Sequence, residues 1–224
     1  MTEVGAVNRL QQILRLYASA RPSHVRGAVP TLGKGKPYEL YCLADLLEKL
    51  AVTEGLYYQF IHRGSLQFRQ KGGPCSASFA HLHAFQNGAY FGTIWTDVVF
   101  AGLSAHDRVC QQQQTTTFGQ LHELDICMVN NDGDGIICHE EIMVGVECKD
   151  RPFTNGLLKE VLGVRREMSF VQRGRPPFYT GLSEPTLAEV HSYPPSWLFV
   201  RGSNSNIQRY ATPGDYFAIR FEHV

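Results

Sequence analysis

Residues 122–150 read HELDICMVNNDGDGIICHEEIMVGVECKD, two alternating stretches around a polar centre. Leu124, Ile126 and Met128 recur every second residue, as do Ile142, Val144, Val146 and Cys148. A period of two with β-branched content predicts strands over 123–129 and 142–149. Setting Asp125 opposite Glu147 in an antiparallel pair puts Ile126 opposite Val146 and Asn130 opposite Ile142, leaving 131–141 as the connecting loop. In that register Asp125, Glu147 and Lys149 gather on one polar face. Cys148 lies between the last two, pointing the other way into the core.

Two carboxylates and a lysine on adjacent strands are a coherent set for phosphodiester hydrolysis. The carboxylates hold hard divalent cations, and the ammonium orients the attacking water or neutralises charge growing on phosphorus. The ELD…GVECK pattern resembles the PD-(D/E)XK superfamily of restriction-endonuclease-like nucleases. That resemblance implies a mixed central sheet flanked by helices, built as a helix, three strands, a helix and a final strand. It implies Mg2+ or Mn2+ held by Asp125, Glu147 and the backbone carbonyl of Cys148, with Lys149 catalytic and Glu39 as an auxiliary acid on the first core helix. Leu124 stands where the superfamily's name has proline.

A competing pattern overlaps the hairpin. Asn130, Asp132, Asp134 and Glu141 occupy positions 1, 3, 5 and 12 of a calcium-binding EF-hand loop, with Gly135 at position 6 and Ile137 at position 8. Its exiting helix would be Ile142-Met143-Val144-Gly145-Val146, a poor helix and a good strand. A hairpin places the DGDG loop roughly 17–20 Å from the carboxylate pair, five to six residues away at about 3.3 Å each.

The remaining chain fits an α/β domain. Residues 3–18 show an amphipathic helical pattern able to pack on the domain or to reach a partner protein or second copy. Residues 20–37 are rich in Pro, Gly and basic side chains and read as a linker, so 1–36 form a helix with a basic arm and 37–224 the nuclease-like domain. A helix is predicted over 37–51, strands between about 56 and 102 interrupted by Gly72-Gly73-Pro74 and Asn87-Gly88, and a polar QQQQTTT run at 111–117. Thr154 or Asn155 caps a further helix through Met168, with Lys159, Arg165 and Arg166 as candidate phosphate contacts. Trp197–Val200 and Tyr216–Phe221 read as closing strands.

The 224 residues carry 21 basic and 21 acidic side chains, which excludes a uniformly basic nucleic-acid binder. The charge is asymmetric: six basic groups against Glu3 make residues 1–36 +5 and leave the rest −5. Six cysteines without a CxxC pair read as reduced, mostly buried thiols, and His81-Leu82-His83 as structural. No stretch has a signal-peptide or membrane-spanning pattern, so a cytoplasmic location and no membrane partner are expected. The expected function is a metal-dependent endonuclease acting on DNA, with RNA as the other candidate substrate. A catalytically silent nucleic-acid-binding module of the same fold and an EF-hand-like calcium-binding protein are the alternatives.

Overall fold

The computed structural model describes residues 2–18, 36–62, 67–106, 119–173, 186–189 and 197–224. The QQQQTTT run and nearly all of the basic arm lie outside them. Helix α1 (Glu3–Tyr17) starts at Thr2, whose hydroxyl accepts from the Gly5 amide at 3.2 Å. Helix α2 (Lys36–Glu54) follows, then strands β1 (Tyr57–Ile61), β2 (His81–Gln86), β3 (Ala89–Ala101) and β4 (Leu121–Val129). Short β5 (Ile137–Cys138) and β6 (Ile142–Lys149) precede helix α3 (Asn155–Glu167), with Thr154 as its N-cap. A separate pair, β7 (Phe170–Arg173) and β8 (Thr186–Glu189), comes before β9 (Trp197–Gly202), helix α4 (Ala211–Phe217) and β10 (Ile219–His223).

The main sheet runs β1-β2-β3-β4-β6-β9-β10, with β5 paired to β3. The first four steps are antiparallel, whereas β6-β9 and β9-β10 are parallel. Parallel neighbours need a crossover, and α3 and α4 lie in the two connections that supply it. Asn87 and Gly88, with φ of 51° and 84°, make the two-residue turn between β2 and β3. The chain is therefore α/β with a mixed, open sheet of eight strands.

Two apolar clusters cover the sheet. One joins α1 and α2 to Tyr58, Leu82, Ile94, Ile126, Met128 and Val146. The other joins α3 to Trp95, Phe100, Leu124, Cys127, Leu198 and Ile219. Ala6, Leu10, Ile13 and Leu14 of α1 are fully buried, and Arg9 is ion-paired with Glu48 of α2. The middle of the α1 apolar stripe is thus covered within its own chain, while Val4 at its start is exposed.

Four expectations change. Tyr216 and Phe217 end a helix instead of opening a strand. Ile142 pairs with Val129 and not Asn130, because the register shifts by one residue after Met128. Leu124 packs in the α3-side cluster, opposite in allegiance to Ile126 and Met128. Cys138 is disulfide-bonded, although Cys42, Cys75, Cys127 and Cys148 are free thiols. No helix among the described residues is long and apolar enough to cross a membrane.

Candidate active site

The predicted hairpin register is present: Ile126 faces Val146, and Met128 faces Val144. One step further, Asp125 leaves the ladder, and its Oδ2 accepts a hydrogen bond from the Cys148 amide at 2.6 Å. Glu147 is buried, and Lys149 Nζ donates to its Oε2 at 2.7 Å and reaches Glu160 of α3 at 3.4 Å. It is the amide of Cys148 that meets Asp125, while the Cys148 side chain packs toward the α1–α2 core.

The sequence reading missed Asp97. The β3–β4 register pairs Thr96 with Ile126 and Val98 with Leu124, which sets Asp97 opposite Asp125. Asp97 takes a left-handed φ of 51°, uncommon but tolerated by aspartate. Alternation fails on both strands here. On β3, Trp95, Val98 and Phe100 share one cluster, a three-residue step where two is the rule. On β4, Leu124 and Ile126 fall in opposite clusters. The sheet therefore breaks its pleat where the two aspartates meet.

Glu39, in the first turn of α2, completes the group: ligand oxygens of Glu39, Asp97 and Asp125 all lie within 4.8 Å of one another. Lys36 Nζ donates to Glu39 Oε2 at 2.5 Å and also to Asp97. Glu39, Asp97, Asp125 and Glu147, with Glu160 of α3 as a fifth carboxylate at the edge, share two ammonium groups, Lys36 and Lys149, leaving a formal excess of three negative charges when all are ionised.

Their titration follows from that excess. Burial, reinforced by Asp125 and Asp97 and only partly offset by Lys36, pushes Glu39 up to about 7. Burial raises Asp97 to about 6 against Lys36, and Glu147 to about 7 against Lys149. Burial also raises Asp125, opposed by the Cys148 amide and Lys149. Both lysines stay charged, because the neighbouring carboxylates outweigh burial, which alone would lower them.

An all-oxygen donor set with surplus negative charge suits a hard divalent cation such as Mg2+ or Mn2+. The tightly grouped trio is Glu39–Asp97–Asp125, with Glu147 beyond Asp125 and tied to Lys149. Of the candidate phosphate contacts, Lys159 and Arg166 are exposed on α3. Arg165 is 3% exposed, and its Nη1 donates to Ser169 Oγ at 3.4 Å, so it is not available at the surface.

The EF-hand geometry is not formed. Strands β4 and β6 flank the loop where two helices are required. Glu141, the would-be bidentate ligand, accepts instead from Asn131 Nδ2 at 2.6 Å and from the Cys138 amide at 2.6 Å. His81 stacks on Trp95 with ring centroids 4.0 Å apart, a structural contact. No family model, curated protein or solved structure matches the chain.

Proposed function

We propose that the chain is a metal-dependent nuclease that hydrolyses phosphodiester bonds in DNA. The observation that carries this reading is the convergence of Glu39, Asp97 and Asp125 beside the Glu147–Lys149 pair. The order α2, then β3, β4 and β6, then α3 and β9, supports a restriction-endonuclease-like core. Glu39, Asp97 and Asp125 would hold Mg2+ or Mn2+, with Glu147 the adjoining carboxylate. A divalent cation there supplies Lewis acidity toward a phosphate oxygen and lowers the pKa of bound water. The Cys148 amide fixes the Asp125 carboxylate, and Glu147 holds the Lys149 ammonium at the site edge. From there Lys149 neutralises charge on the scissile phosphate. Lys159 and Arg166 provide exposed positive charge for the backbone beyond it.

The deciding experiment incubates the purified chain with supercoiled, linear and single-stranded DNA, and with RNA, in magnesium or chelator. Magnesium-dependent cutting of DNA that chelator abolishes supports the reading. Nucleic-acid binding without cutting under every condition overturns the enzymatic assignment in favour of a silent module, and cutting confined to RNA overturns the substrate.

A further inference from the structure

A second cluster of metal-ligating side chains lies at the far end of β3. Strand β5 pairs in parallel with that end, Ala101 with Cys138, and His139 opens the short 3-10 turn that follows. A second 3-10 turn, Leu103–Ala105, leaves β3 and delivers His106 to the same corner. His106 Nδ1 lies 3.0 Å from His139 Nε2. One ligand atom from each of His106, Cys138 and His139 falls within 4.8 Å of the other two.

Small side-chain adjustments would bring these atoms to the separations of a tetrahedral zinc site. Zinc–nitrogen bonds of 2.0–2.1 Å and a zinc–sulfur bond of 2.3 Å set ligand atoms about 3.3–3.6 Å apart. The group is also built into the fold. His139 is fully buried, and its Nε2 faces His106. Two facing imidazole nitrogens make one hydrogen bond only if one carries the proton, whereas a cation takes both lone pairs. Glu140 Oε1, 3.8 Å from His106 Nδ1, stands within reach as an oxygen donor for the fourth position.

Cys138 is disulfide-bonded in this structure, and a disulfide sulfur is a poor zinc ligand. We propose that His106, Cys138 and His139 form a zinc site that opens when this disulfide is reduced, so that zinc and the disulfide are alternative fastenings of one corner. Reduction by a dithiol breaks the S–S bond: the disulfide gains two electrons and two protons, and the dithiol is oxidised to its own disulfide. Zinc then displaces the proton from Cys138 Sγ and binds the thiolate with the two neutral imidazoles. Either fastening acts on the turn between β4 and β6, the hairpin that carries Asp125 and Glu147.

Zinc content and cobalt(II) spectra of the full chain test this. Dithiol-reduced protein, dialysed against zinc and then buffer, should retain one zinc per chain, and air-oxidised protein should retain less than about a tenth as much. Cobalt(II) in place of zinc should give tetrahedral visible bands and a thiolate charge-transfer band. Cys138→Ser should remove the charge-transfer band, and His106→Ala should weaken zinc binding by at least about tenfold. Asp125→Asn should retain the zinc, separating this corner from the carboxylate site. Reduced wild-type protein without zinc overturns the proposal, as does zinc indifferent to both Cys138→Ser and His106→Ala. If either variant fails to fold by circular dichroism, the reduced against oxidised wild-type comparison decides.

Discussion

Helix α2 braces two charge clusters against the same sheet, and they are balanced in opposite ways. Near its middle, Asp45 accepts from Arg201 of β9 at 2.5 Å, and Arg201 also pairs with Glu222, which Lys49 and Arg220 approach as well. Two acids there meet three bases. Burial alone would raise Glu222, but Lys49, Arg201 and Arg220 hold its carboxyl below the usual range. At the start of the helix, Glu39 joins Asp97, Asp125 and Glu147 against two lysines, and there burial wins and the carboxyls rise. The first cluster is finished by the chain itself. The second is left electrostatically short of positive charge, which is costly for a structural element and useful for one that recruits a cation.

The sharpest way to break this contrast is to remove carboxylates. Asp125→Ala and Glu147→Ala should each reduce DNA cleavage to background at limiting magnesium while circular dichroism is unchanged; near-normal cutting by either would sink the site. Lys149→Met should slow single-turnover cleavage by about two to four orders of magnitude with DNA affinity retained. Lys149→Arg should not restore it, since the larger planar guanidinium does not fit the place of the ammonium held by Glu147.

The balanced cluster should respond in stability instead. Arg201→Met removes the buried guanidinium shared by half-exposed Asp45 and by Glu222, which keeps Lys49 and Arg220, and should lower the urea unfolding midpoint. At temperatures where the variant remains folded its cleavage rate should match wild type.

Acidity distinguishes the clusters more gently. In the metal-free protein, folded Glu39 and Glu147 hold protons up to about 7, while in the unfolded chain they lose them near 4.5. The folded state therefore binds more protons between those values, and their contribution to stability falls as pH rises through that window. Glu222 has the opposite sign, its contribution being lost as pH falls. Thermal melts without metal should peak in mildly acid buffer, and magnesium should raise the melting temperature more at pH 7 than at pH 5. Asp97→Asn, which keeps the left-handed backbone, should flatten both trends; equal magnesium effects at the two pH values would refute the charge-deficit account. The smallest effect is expected at Asp134, exposed in the β4–β6 turn, where Asn should leave cleavage unchanged.

The hairpin was readable because strand alternation and the E-x-K spacing share one period, so a single register aligned everything on it. Asp97 left a fainter trace: it is the one charged side chain in the apolar run TIWTDVVF, where a buried strand has no room for an idle carboxylate. Its place opposite Asp125 depends on the β3–β4 pairing, a non-local fact that periodicity does not carry. Arg165 could have been read correctly, since it falls on the 157–161–165 stripe with Leu157 and Val161 and is buried with them. Helix α4 hid because Tyr216 and Phe217 favour strands by propensity, while the left-handed Ala218 after them ends the helix. The zinc-like corner joins residues more than thirty positions apart, His106 and His139, with no spacing motif to announce it.

An open sheet ends in two rims, and bare rims invite strand addition from neighbouring molecules. Here the rims differ from the interior in ways that discourage it. At the β1 rim, Ala18 at the end of α1 bridges Tyr58, so the first helix caps the edge it precedes. At the β10 rim, the exposed guanidinium of Arg220 and His223 dot the strand with polar groups. Through that bridge, the packing of α1 on α2 bears on the edge as well as on the core, occupying one position where a neighbouring strand would have to pair.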